Sequence, residues 1–160
     1  MDKVFTKLGS FGPIILYIAA SYLLWKKNTS FYYYQVGFFT SAILNLVLKG
    51  IFKQPRPSED PREFNLAIKN GHRFIFKNGI PHDIFGMPSG HAQSVFFSAM
   101  FILLTLKITP YIASIYLFIV LNTGYQSVKY KYHTISQVII GGLIGLSLGY
   151  IWYNTILQIK

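Results

Sequence analysis

The sequence predicts an all-α, multi-pass transmembrane bundle of about five membrane-spanning helices, built as a single domain over residues 1–160. Two observations carry this expectation. Hydrophobic residues make up 52% of the chain and the mean hydropathy is +0.38, too apolar for an ordinary soluble domain. The apolar residues are also gathered into stretches that approach the roughly 20 residues needed to cross a hydrocarbon core of about 30 Å. The net charge of +10, from 15 basic and 5 acidic residues, has no separate polar domain to sit in, which argues against a nucleic-acid partner. Anionic headgroups or a phosphorylated substrate explain it better. The absence of cysteine removes disulfides, thiolate catalysis and Cys-ligated metals.

Five apolar segments stand out, at about 8–25, 31–52, 91–107, 109–128 and 134–157. The first carries no small-residue cleavage site after it and reads as a retained helix. Lys26 and Lys27 end it, and Asn28-Thr29-Ser30 turns the chain; Asn28 heads a sequon that reads as turn chemistry. Phe31, Tyr32, Tyr33 and Tyr34 suit an interfacial aromatic belt at the start of the second segment. The third and fourth segments form a tight hairpin across Lys107 to Pro110. In the fifth, Gly141, Gly145 and Gly149 lie four apart, a small-residue face for close helix packing.

Residues 53–90 form the one long polar stretch, rich in Pro, Gly and charge, and loops of this length are usually functional or disordered. Counting crossings puts the N-terminus, this loop and the 127–133 connection on one side of the membrane. His91 and His133 therefore share a face.

Three clusters meet on that face. In KGIFKQPRP, Arg56 is locked between two prolines and is suited to bidentate phosphate recognition, while Lys49 adds a point charge. In PSGH, Ser89 reads as a helix N-cap; the unpartnered N–H groups behind it and the helix dipole favour an anion, and Gly90 lets an oxyanion approach the backbone. His91 stands beside that site. In QSVKYKYHTISQ, His133 begins the last helix, and Gln137 lies four residues on, on the same helical face and able to bond the ring. No carboxylate cluster suits a metal, and His72, His82 and Asp83 read as loop residues.

Together these clusters resemble the signature of the type 2 phosphatidic acid phosphatase superfamily, K-x6-R-P, then P-S-G-H, then S-R-x5-H-x3-D, over roughly residues 31–150. The first motif lies within 49–57 and the second within 88–91, both intact. The third, within 127–137, departs from the pattern at Ser127, where it has Arg, and at Gln137, where it has Asp. GMPSGHAQ together with YHTISQV is similar to the dolichyldiphosphatase branch, in which Gln likewise follows the histidine.

The resemblance implies a metal-independent phosphatase without a cofactor. His133 would be the nucleophile, forming a phosphohistidine; His91 would protonate the leaving oxygen, and Gln137 would orient His133. Lys49, Arg56, Ser89 and Gly90 would hold the phosphoryl oxygens. Ser127 removes one expected phosphate ligand, for which Lys129 or Lys131 is a candidate substitute. The implied substrate is a polyprenyl diphosphate of dolichyl type. Phosphatidate, undecaprenyl diphosphate, or a lipid-binding scaffold of the same fold without turnover are the alternatives. The branch implies an endoplasmic-reticulum-type membrane and a lumenal site, whereas the basic residues on the same face would by the positive-inside rule make it cytoplasmic.

Overall fold

Helices form wherever the chain is continuously apolar, and they stop where Pro, Lys or Gly interrupts it. The structure, a computed structural model, describes residues 8–77 and 79–159. Its long helices are α1 (Gly12–Leu24), α2 (Asn28–Phe52), α4 (Gly90–Thr105), α5 (Pro110–Lys129) and α6 (Ile135–Ile159). Each matches one apolar segment to within a few residues. Local chemistry sets several starts: Ser89 Oγ accepts from the Ala92 N–H, Thr109 Oγ1 accepts from the Ile112 N–H, and proline occupies the first turn of α1 and α5.

Among the described residues, only α2 and α6 are both long and apolar enough to span a membrane by length and composition. With 13 and 16 residues, α1 and α4 rise about 20 and 24 Å, short of a hydrocarbon core of about 30 Å.

α4 is the central helix, touching α1, α2, α5 and α6. Val95, Phe97, Phe101 and Ile102 of α4 pack with Leu16, Ala20 and Leu24 of α1 and with Tyr116, Ile119 and Val120 of α5. The outward faces are apolar too: Ile14, Ile18, Ile43, Val47, Leu117, Leu121, Leu143 and Ile151 are all exposed. The buried stripe of α2 runs the other way, through Ser41, Asn45 and Lys49. A bundle greasy outside and polar along one inner seam is organised for lipid, not water.

The aromatic belt expected at 31–34 is only partly one. Tyr32 is exposed, but Tyr34 is fully buried, with its hydroxyl 2.8 Å from Ser98 Oγ and its ring against Phe97 and Phe101. It is a core residue whose polar end has found a partner.

Glycines let α6 lie directly on α4. A Cβ at Gly145 would stand 2.2 Å from the Gln93 carbonyl oxygen, and one at Gly141 would stand 2.4 Å from that of Ser89. Neither backbone can yield, so Gly145→Ala should cost on the order of 1–3 kcal/mol. Thermal unfolding in detergent checks this, with an unchanged midpoint showing that the helices are not in contact there.

The fold is mostly helical as expected, and the stretch 53–90 adds to it a short helix and a hairpin. α3 (Pro61–Lys69) is capped by Asp60, whose Oδ1 accepts from the Arg62 and Glu63 N–H groups at 2.8 and 3.1 Å. It is followed by an antiparallel hairpin, β1 (Phe74–Lys77) and β2 (Ile80–Asp83), in which Phe74 pairs with Asp83 and Ile75 with His82. Gly79 takes the positive φ of 77° that the turn requires. Ala67, Ile84 and Phe85, with Phe64 and Ile75, form a small separate core beneath it.

Candidate active site

The hairpin is fastened to the bundle by charge. Arg73 donates to both carboxylate oxygens of Asp83, at 3.2 and 3.0 Å, and to the Leu46 carbonyl of α2 at 2.9 Å. Its guanidinium also lies over the rings of Phe74 and Phe85. Burial alone would raise the Asp83 carboxyl, but the Arg73 hydrogen bonds, the Lys49 charge and the Phe85 N–H together hold it below the usual carboxylate range. Neither Arg73 nor Asp83 belongs to a recognised motif, yet they fix the loop that frames the site.

Lys49 is buried, donates to the Phe85 carbonyl at 2.8 Å and lies 3.4 Å from Asp83 Oδ2. Arg56 donates from Nε to the Asp83 carbonyl at 2.9 Å, which leaves the terminal nitrogens of the fork. Both cations are thus held by the loop segment that precedes PSGH.

Arg56, His91 and His133 line one cavity of about 280 Å³, together with Gly9, Ser10, His82, Gln126, Ser127 and Tyr132. The His91 ring is hydrogen-bonded to the Ser10 main chain. Four of the other expected site residues stand behind this wall. Lys49 lies below it; Ser89 is fully buried, with its N–H donating to the Gln137 carbonyl at 3.0 Å. Gly90 faces Asn45, and Gln137 is buried beside His133.

The orientation of His133 is over-determined. Gln137 Oε1 lies 3.2 Å from His133 Nδ1 and also accepts from the Thr134 N–H at 3.2 Å, while Gln137 Nε2 donates to the Pro55 carbonyl at 3.0 Å. With the amide fixed that way round, Nδ1 must be the donor, and the lone pair of the neutral ring is on Nε2. Gly86 makes room for this amide: a Cβ there would lie 2.6 Å from Oε1.

His133 is only 3% exposed. Its ring is pushed down to about 3, first by burial and then by the Arg56 and Lys49 charges; the Gln137 hydrogen bond opposes this and is outweighed. The ring is therefore neutral, as a nitrogen nucleophile needs to be. The unfolded chain takes up this proton near pH 6.5 and the folded chain does not until about 3. Stability should be complete above that window and fall as pH drops through it, by up to about 1.4 kcal/mol per pH unit. Unfolding midpoints measured from pH 7 to pH 4 should fall more steeply for the wild type than for His133→Gln. Equal slopes would assign the acid sensitivity to another group.

The expected substitutes for the absent arginine are not at the cavity. Lys129 lies over the Tyr125 and Tyr130 rings and Lys131 is exposed at a φ of 56°. Ser127 bonds back to the Thr123 carbonyl at 2.8 Å. His82, read from the sequence as a loop residue, does reach the cavity. His72 is exposed outside it. Among the described residues no group of three or more His, Asp or Glu side chains is placed to hold a metal ion.

Residues 31–159 match the sequence profile of the PAP2 superfamily. Dolichyldiphosphatase 1 of Dictyostelium discoideum is 31% identical, over 90% of this chain and 60% of that protein. The chloroplastic lipid phosphate phosphatases epsilon 2 and epsilon 1 of Arabidopsis thaliana are 27% and 28% identical, over 89% and 90% of this chain. The chain spans 45% and 44% of their lengths. The crystal structure of Aquifex aeolicus LpxE superposes with a TM-score of 0.69, over 96% of this chain and 85% of that one; at 21% identity this likeness concerns the fold.

Proposed function

The chain belongs to the PAP2 superfamily, and from that premise we propose that it is an integral membrane phosphatase that releases phosphate from a polyprenyl diphosphate of dolichyl type. The observation that carries the reading is the convergence of Arg56, His91 and His133 on one cavity, at the end of a bundle whose outer faces are apolar.

In this reading His133 Nε2 attacks the terminal phosphorus, and the bridging P–O bond breaks as a P–N bond forms. His91 gives its proton to the departing oxygen, then takes one from the water that cleaves the phosphohistidine. Arg56 holds the phosphoryl oxygens with its free nitrogens, and the Lys49 charge beneath offsets their build-up. Ser89 and Gly90, which do not line this cavity, act through the start of α4 that they form beside His91. The proposed mechanism needs no metal or cofactor.

The choice of a diphosphate rests on Gln137. Its carbonyl oxygen orients the ring but, unlike a carboxylate, does not neutralise the positive phosphohistidine. That suffices for an easy leaving group, and a phosphate monoester, with a second pKa of about 6, leaves far more readily than an alkoxide. The likeness to a dolichyldiphosphatase supports the same substrate class.

All five long helices cross the membrane in this reading, with the short α4 surrounded by its neighbours, and the membrane is of endoplasmic-reticulum type. The test is phosphate release by protein reconstituted in liposomes containing dolichyl diphosphate, undecaprenyl diphosphate or phosphatidate, with vanadate as the control. Dolichyl diphosphate should be the preferred substrate; hydrolysis of none of them would leave a lipid-binding scaffold.

A further inference from the structure

Resting on the phosphatase reading, we propose that His82 is a ligand of the substrate's phosphoryl oxygens, positioned by Glu59, and that it replaces part of the function of the arginine absent at Ser127. The cavity wall draws on Arg56, His91 and His133, on Gln126 and Ser127 in the last turn of α5, on Tyr132 in the α5–α6 connection, and on His82 from the hairpin. Where the family pattern has a forked cation there is a short, back-bonded serine, and neither nearby lysine fills the space. His82 is the remaining side chain of the wall that can carry positive charge.

Its placement is built. The Glu59 side chain is 1% exposed, yet its Oε1 lies 2.7 Å from His82 Nε2, within the range of a charge-assisted hydrogen bond. Glu59 is itself fixed by a turn in which its N–H donates to the Arg56 carbonyl at 3.1 Å, and its charge also acts on Arg56. One buried carboxylate therefore acts on two side chains of the cavity wall, Arg56 and His82. With Nε2–H committed to Glu59, an imidazolium at position 82 has Nδ1–H left to donate to an anionic oxygen. The strand register, with His82 opposite Ile75, and the Arg73–Asp83 pair next to it hold the ring's backbone in place.

A strap that only pins the hairpin would use the same Glu59–His82 bond, so the test must read anion binding apart from folding. The probe is orthovanadate, which reports the phosphate site whatever the lipid. His82→Ala should weaken its binding about tenfold or more, and His82→Gln, whose amide can still donate to Glu59, should do likewise while melting at the wild-type temperature without vanadate. Adding Ser127→Arg to His82→Ala should recover most of the lost affinity, and should gain less in the wild-type background. Wild-type vanadate affinity in His82→Ala overturns the proposal. Collapse of both variants' melting temperatures also overturns it, by making His82 a structural strap. If vanadate binding falls as expected while the wild type hydrolyses no lipid, His82 stands as an anion ligand and the phosphatase reading is what fails.

Discussion

Replacing His133 with alanine should abolish turnover, a loss of at least about 10⁴-fold in kcat, because in the proposed mechanism the group removed is the one that forms the covalent bond. The ring is buried but borders the cavity, so the space it leaves opens onto an existing void. The variant should therefore fold, and its Gln137 can keep the Thr134 and Pro55 contacts. With a lipid labelled in its terminal phosphate, the wild type should acquire acid-labile label in a rapid quench, and the variant should acquire none. A variant turning over within tenfold of the wild type would move the nucleophile elsewhere.

Much of this arrangement is legible in the sequence, for reasons that differ residue by residue. The helices follow from unbroken apolar length, which a membrane enforces and a polar interruption ends. Arg56, His91 and His133, expected from the sequence to share a face, line one cavity. What composition could not supply is depth: Lys49 and Ser89 read as phosphate ligands, yet their polar atoms are already engaged by Phe85, Asp83 and Ala92. Tyr34 reads as interfacial because its neighbours are aromatic, and only packing against α4 shows that it faces inward.

The hairpin had a signal that length-based reading passes over. FIFKNGIPHD sets two short runs around Asn-Gly, a turn dipeptide. His82 and Asp83 carry no motif. Their importance arises from strand register, which brings one to the cavity and the other beneath it, between Lys49 and Arg73.

His91→Ala should discriminate between substrates by their leaving groups. The ring borders the phosphate cavity on one side and, on the other, a second cleft of about 330 Å³ lined by Pro13, Ser41, Asn45, Leu46, Gly90 and Gln93. That cleft runs between α1, α2 and α4, whose outer faces are apolar, so a lipid tail can leave the cavity past His91. In the proposed reading the oxygen joining tail and phosphoryl group would then lie at His91, where a general acid is useful. General acid help contributes typically 10²–10⁴-fold, and an alkoxide needs it far more than a phosphate monoester does. The variant should therefore lose about 10²–10⁴-fold in kcat/KM on phosphatidate and at least about tenfold less on a polyprenyl diphosphate, each compared with the wild type in the same liposomes. Equal losses on both lipids would assign His91 to holding the phosphoryl group, and the proton for the leaving oxygen would have to come from water.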